Sequence, residues 1–209
     1  MERVIDLYEK DYDEQYPILS LDERPCQLLD NIMTPLLPKP GSCAKEDYHY
    51  KRMGTCCVLM AIEPKTGKRI VEVRETRKKT DYKEFLEKVA ESYPNAKKIT
   101  VIQDNLNTHN PSSFYENMEP KNAFDLMNRF DMVYTPKKAS WLNVIEIEFA
   151  ALSKQCLDRR IPTTEELRKE VLSWTAQREA DEIKINWLFS KEKARKKMSS
   201  KYDKIRTPH

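Results

Sequence analysis

Residues 99–104 read ITVIQD, and the fold turns on that stretch. Four of its first five residues are apolar or β-branched, it is too short for a helix, and it stops at a carboxylate, so it predicts a buried strand ending in Asp104. The residues before it carry the clearest helical pattern in the chain: Tyr82, Phe85, Leu86, Val89 and Tyr93 recur at helical spacing after Thr80, with Asp81 and Glu84 as a capping pair and Pro94 as the stop. Downstream, Pro120 suits the first turn of a helix through Phe124, Met127 and Phe130, and DMVYTP (131–136) predicts a short strand stopped by Pro136. Strands separated by crossover helices pair in parallel.

The same signature appears near the N-terminus. PILSLD (17–22) predicts a buried strand from Ile18 to Leu21 that stops at Asp22. Residues 1–16 are polar and acidic and read as a helix or arm, and the stretch at 30–46, with Pro35, Pro38, Pro40 and Gly41, reads as loop. YHYKRMGTCCVLMAI (48–62), a turn at Pro64 and Gly67, and the alternating KRIVEVRET predict an antiparallel hairpin. After Pro136, a helix from about Val144 carries Ile145, Phe149, Leu152 and Cys156 on one stripe; Thr163 and Glu166 cap another with Leu167, Val171 and Trp174. The lysine-rich tail after Ser190 is expected to fray. The predicted fold is α/β: a mixed five-stranded sheet flanked by helices, with extra C-terminal helices. The expected division is an arm at 1–16, the main domain at 17–160 and a helical extension of that domain at 161–209.

Composition narrows the chemistry. The 209 residues include only three glycines, Gly41, Gly54 and Gly67, none close to another, which excludes the dinucleotide fingerprint, the P-loop and the G-x-S-x-G elbow. Three histidines and five scattered cysteines offer no zinc spacing. The thiols Cys26, Cys43, Cys56, Cys57 and Cys156 read as reduced, Cys56 and Cys57 as core; with no secretory or membrane-spanning segment the expected location is cytoplasmic. The net charge of +3 is too mild to argue for nucleic acid by itself.

Asp22 and Asp104 each close an apolar strand, where open α/β sheets place their sites. On neighbouring strands they would converge, repel without a cation between them, and as hard oxygen ligands suit Mg²⁺ or Mn²⁺. A third carboxylate from a helix at the same sheet edge would complete a two-metal site for phosphoryl transfer. Alternatively both aspartates cap loops or pair with arginines. Glu146 and Glu148, two apart, face nearly opposite sides of their helix, and periodicity leaves the choice between them open.

QDNLNTH (103–109), YTPKKASWLNVIEIEF (134–149) and LSKQCLDRRI (152–161) resemble the DDE transposases of bacterial insertion sequences in the mariner-like superfamily, and the resemblance runs from VIDLYEKDYDEQYPILSLDERP through DYHYKRMGT to INWLFSKEKARKKM. It implies an RNase H-like fold, with Asp22, Asp104 and Glu146 as catalytic acids holding two Mg²⁺ or Mn²⁺ ions, so it selects Glu146 over Glu148. It implies hydrolysis of a phosphodiester at an element's end by activated water, then attack of the freed 3′-hydroxyl on target DNA. Double-stranded DNA is the implied partner, a homodimer is compatible, and no nucleotide cofactor or membrane is involved; the setting is bacterial or archaeal, at the nucleoid. Family members carry an N-terminal helix-turn-helix for terminal repeats. With 21 residues before Asp22 this chain has no room for it, so the chain is expected to lack that module, and the spacing from Asp104 to Glu146 is longer than in many relatives.

Other residues carry two readings each. His109 approaches the scissile phosphate or is a structural loop histidine. Asn105 and Asn143 orient the acids or cap local structure. Lys137, Lys138 and Trp141 suit a phosphate backbone and a stacked base, or form a solvated loop with a packed Trp. Arg159, Arg160 and the lysines of 191–201 track DNA or are solvated charge. At the level of the whole chain, a catalytically silent remnant that binds DNA or protein is the alternative to the enzyme.

Overall fold

The computed structural model describes residues 1–106, 111–137, 139–200 and 202. Strand β4 (Ile99–Gln103) lies where the sequence places it, buried except for half-exposed Thr100. Helix α2 (Lys79–Glu91) delivers the chain to it, and α3 (Pro120–Asn128) leads on to β5 (Phe130–Tyr134). Upstream lie α1 (Glu2–Glu9), β1 (Ile18–Asn31), β2 (Tyr50–Ile62) and β3 (Arg69–Arg74); downstream lie α4 (Ile145–Gln155), α5 (Thr164–Ala180) and α6 (Lys191–Lys197). The strands form one mixed sheet in the order β3-β2-β1-β4-β5. β3, β2 and β1 are antiparallel, and β1, β4 and β5 are parallel, as the hairpin and crossover patterns predict.

Two cores form because successive strand residues face opposite sides. Leu59 and Ala61 of β2, with Leu19, Leu21 and Val101, meet Tyr82, Phe85, Leu86 and Val89 of α2. Val58, Met60 and Ile62, with Ile102 and Val133, meet Ile145, Phe149 and Leu152 of α4 and Leu167 and Val171 of α5. α1 adds Val4, Ile5, Leu7 and Tyr8 to the second core. Burial of a side chain such as Phe85 contributes about 1.5–3 kcal/mol.

The structure departs from the sequence reading in four places. β1 does not stop at Asp22 but runs to Asn31, paired with β2 from Ser20 onward; what stops is its pairing with β4, at Ser20. Beyond Ser20 the strand paired with β1 among the described residues is β2 alone, and there Pro25, which has no N–H to give a ladder, is tolerated. A bulge interrupts the β1–β2 register between Leu28 and Leu29, opposite Gly54, whose φ of +118° disfavours any other residue. Second, Asp81 accepts from the Lys78 N–H at 2.7 Å as expected of a cap, but Glu84 instead takes Arg74 at 2.6 Å. Third, α3 buries Ala123, leaves Phe124 exposed and ends at Asn128, so that Phe130 opens β5 and is not part of the helix. Fourth, the lysine-rich tail forms α6, capped by the Ser190 hydroxyl and seated through fully buried Ala194.

Candidate active site

The β1–β4 ladder pairs Ile18 with Thr100, Leu19 with Val101 and Ser20 with Ile102. The ladder ends there, and Asp22 and Asp104 each follow its last pair by two residues, at the same end of the two strands. Ile102 packs into the core that α4 covers, and the Ser20 hydroxyl meets Tyr8 on that side. Asp22, paired with Met60 of that core, lies on the same side of β1, and Asp104 follows the last residue of β4. Both are half-buried. Asp22 Oδ1 accepts from the Glu23 N–H at 2.7 Å. Glu23, on the opposite face, lies 3.1 Å from the Arg77 guanidinium. Behind Asp104, fully buried Gln103 accepts from the Tyr82 hydroxyl at 2.7 Å, which fixes the end of β4 against α2.

A buried knot ties the N-terminus of α4 to β1. The Tyr8 hydroxyl lies 2.9 Å from Ser20 Oγ, donates to the Leu142 carbonyl at 3.0 Å and accepts from the Val144 N–H at 3.3 Å. The Asn143 side-chain amide donates to the Leu21 carbonyl at 2.9 Å, one residue before Asp22. The Glu146 N–H bonds the Asn143 carbonyl at 3.2 Å, so Glu146 opens the first turn of α4 beside this join, with its side chain exposed. A carboxylate in that turn is favoured by the helix dipole.

Glu148 has other work. It is fully buried, accepting from Arg69 Nε at 3.0 Å and from Arg178 Nε and Nη2 at 3.0 and 2.8 Å. Burial pushes its pKa up, but the two guanidiniums more than offset that and hold it below the ordinary value. Arg69 also donates to the Gly67 and Ile183 carbonyls. A Cβ at Gly67 would lie 2.5 Å from the Ile183 oxygen, so the chain needs glycine there. Glu148 therefore joins β3, α4 and α5.

The remaining predicted residues divide. Asn143 is buried and holds α4 to β1, a joining role. Asn105 and Lys137 are exposed near the strand ends; His109 and Lys138 lie outside the described residues. Trp141 is 42% exposed and meets Phe189 edge-on at 5.3 Å. Arg159 pairs with Glu170. Arg160 is spent on the loop before β2, donating to Asn31 Oδ1 at 2.6 Å and to the His49 carbonyl at 3.1 Å. Sequence reasoning missed Tyr8 and Ser20; a lone Tyr on a short acidic helix gives no signal of a partner at Leu142.

Among the described residues, no group of three or more His, Cys, Asp or Glu side chains is arranged to hold a metal ion. What the fold offers is two aspartates that follow the ends of the paired segments of β1 and β4, and a glutamate on the helix tied to β1. That set is all oxygen, which fits a hard divalent cation and not a soft one.

The chain matches the model of the DDE superfamily endonucleases over residues 17–168 and belongs to that family. Asp22, Asp104 and Glu146 all lie within the matched span. Its structure is similar to Mos1 transposase in a strand transfer complex (TM-score 0.56, 14% identity, 84% of this chain and 51% of the other). It is similar also to mariner Mos1 paired-end complexes with Mg (TM-score 0.57, 14% identity, 87% and 54%) and with Mn (TM-score 0.53, 15% identity, 84% and 52%). The fold is thus the RNase H-like fold of DDE enzymes. The chain spans about half the length of these solved structures. No curated protein matches it. Among the described residues no helix is long and apolar enough to cross a membrane.

Proposed function

We propose that this chain is the catalytic domain of a transposase, cutting DNA at transposon ends and joining them to a target in a metal-dependent reaction. The observation that supports the reading is the parallel β1–β4 ladder, which ends at Ser20 and Ile102, two residues before Asp22 on the one strand and two before Asp104 on the other. Asp22, Asp104 and Glu146 would hold Mg²⁺ or Mn²⁺. Such ions, when bound, stabilise charge on the attacking and leaving oxygens of a phosphodiester. The chain's own part is positioning: β1 and β4 fix two carboxylates, and the Tyr8–Asn143 knot fixes the helix that carries the third. Asn105 and Lys137 sit at the same edge, where an amide and a cation suit a phosphate backbone. The Mos1 complexes contain DNA ends, with Mg or Mn in two of them, which supports the choice of substrate and ion.

A second reading is a remnant that binds DNA without cutting it. It is favoured by the lack of a three-ligand group among the described residues. Incubation of supercoiled DNA with the protein and Mg²⁺ or Mn²⁺ separates the two: nicks that vanish with chelator support the enzyme, and retention of DNA with no nicks in either ion supports the remnant.

A further inference from the structure

At the opposite end of the sheet from Asp22, where β1 begins and β2 ends, lies a cavity of about 90 Å³. Its walls include Tyr8, Tyr12, Tyr16, Glu63, Lys65 and Trp187. Nothing in the proposed DNA chemistry uses it. Glu63 is 2% exposed, yet among the described residues its Oε1 has no hydrogen-bond partner; its other oxygen takes the Thr66 hydroxyl at 2.5 Å. Lys10 and Lys65 line the same cavity, and among the described residues neither is ion-paired with Glu63. A buried carboxylate oxygen without a donor is left without the hydrogen bonds that water would give it. Burial accordingly raises the Glu63 pKa, opposed by the Thr66 hydrogen bond and the Lys68 charge. Around it the cavity is aromatic. Tyr12 and Tyr16 are half-exposed at the rim, and Trp187 packs against Tyr8 at 5.4 Å with its own indole N–H buried and unpartnered.

A buried carboxylate with an unsatisfied oxygen, lining a cavity with tyrosine and tryptophan walls, matches one ligand chemistry: an organic ammonium. Its N–H groups would supply the donor that Glu63 Oε1 lacks, and tyrosine faces attract a cation. The volume has room for several waters and so for the end of an alkylammonium chain. Of the charged residues lining the cavity, Asp11, Asp13 and Glu63 outnumber Lys10 and Lys65. A hydroxyl or carbonyl on the same ligand would meet the Trp187 N–H.

We infer that the cavity between α1, the start of β1 and the end of β2 is a binding site for an alkylammonium group, either a free amine or a lysine side chain of a protein, with Glu63 as its counter-ion and tyrosine walls. The site stands on geometry independent of the catalytic proposal.

The test uses the 209-residue chain and heteronuclear NMR titration. The probes are n-butylamine, n-butanol as the neutral match, and a short peptide with one lysine. Saturable shifts at Tyr12, Glu63 and Trp187 with butylamine or with the peptide, and none with butanol, are expected; whichever probe binds identifies the source. Glu63→Gln should weaken binding about tenfold or more. That variant removes a buried charge and should fold. Tyr12→Leu, at the rim, should weaken binding while leaving Glu63 in place, and wild-type binding should fall as acid protonates Glu63. Equal binding of butanol, undiminished binding by Glu63→Gln, or no binding of either amine would overturn the inference. None of these outcomes touches DNA cleavage.

Discussion

The side-chain amide of Asn143 donates to the backbone carbonyl of Leu21 across 2.9 Å. That bond joins the loop that opens α4 to the strand that carries Asp22, two segments far apart in the chain. Asn143→Ala leaves the Leu21 carbonyl without this partner inside the protein, at a cost of about 1–3 kcal/mol. Thermal unfolding should show that loss. Cleavage should fall by more than the loss of folded protein explains, because α4 sets where Glu146 stands. Unchanged stability and unchanged cleavage would show that the bond positions nothing.

Glu148 and Glu146 should separate by assay. Glu148→Gln breaks a buried pairing with Arg69 and Arg178, and losing one partner of such a pairing costs about 3–5 kcal/mol. Glu146→Gln alters an exposed side chain and should leave the melting temperature within a degree or two while abolishing cleavage. The reverse pattern, with Glu148→Gln stable and inactive, would give Glu148 the catalytic part.

The same ion pairs set a pH dependence. Glu148 is held below its ordinary value of 4.5 in the folded protein. Its contribution to stability is therefore fully present above that pH and is lost as pH falls through the lower folded value. Wild-type protein should lose stability steeply below about pH 4.5, and Glu148→Gln should flatten that limb. Parallel acid limbs would assign the effect to other carboxylates.

α2 and α4 were legible because Tyr82, Phe85 and Leu86, and Ile145, Phe149 and Leu152, recur at helical spacing, and buried faces impose that spacing. β4 and the start of β1 were legible as short apolar runs. The rest of β1 was not, since Glu23, Arg24, Pro25 and Gln27 break any apolar pattern; pairing with β2, formed by tertiary contact, makes it a strand. The choice between Glu146 and Glu148 needed the family resemblance, because the partners that occupy Glu148 come from β3 and α5. α6 was hidden for a simpler reason: in KEKARKK only Ala194 enters the core, and the helix is otherwise held by exposed pairs such as Arg195 with Glu2.

Placing a charge at that one contact should release the helix. Ala194→Glu puts a carboxylate in a fully buried position against the core. Amide exchange should rise sharply over 191–197 and stay low over 99–103. Unchanged protection over 191–197 would mean that the exposed pairs alone hold α6.

DNA binding by this chain should follow salt and ignore sequence. Val4, Ile5, Leu7 and Tyr8 commit α1 to the core, so it is not free to lie in a groove and read bases. Phosphate contacts remain, and their affinity falls steeply with salt, in the non-specific range of ~10⁻⁴–10⁻⁶ M. A terminal-repeat duplex and a scrambled duplex should titrate alike at two salt concentrations. A hundredfold preference for the repeat would show that these residues carry their own readout.

The carboxylate assignment is tested most directly by nicking of supercoiled DNA in Mg²⁺ or Mn²⁺ with the wild-type chain and with Asp22→Asn, Asp104→Asn and Glu146→Gln, each checked for an unchanged melting temperature and unchanged DNA retention. The account predicts nicking by the wild-type chain alone, abolished by chelator, with all three variants folded, DNA-bound and silent. Nicking that survives in any one of the folded variants, or that persists without divalent metal, would contradict it.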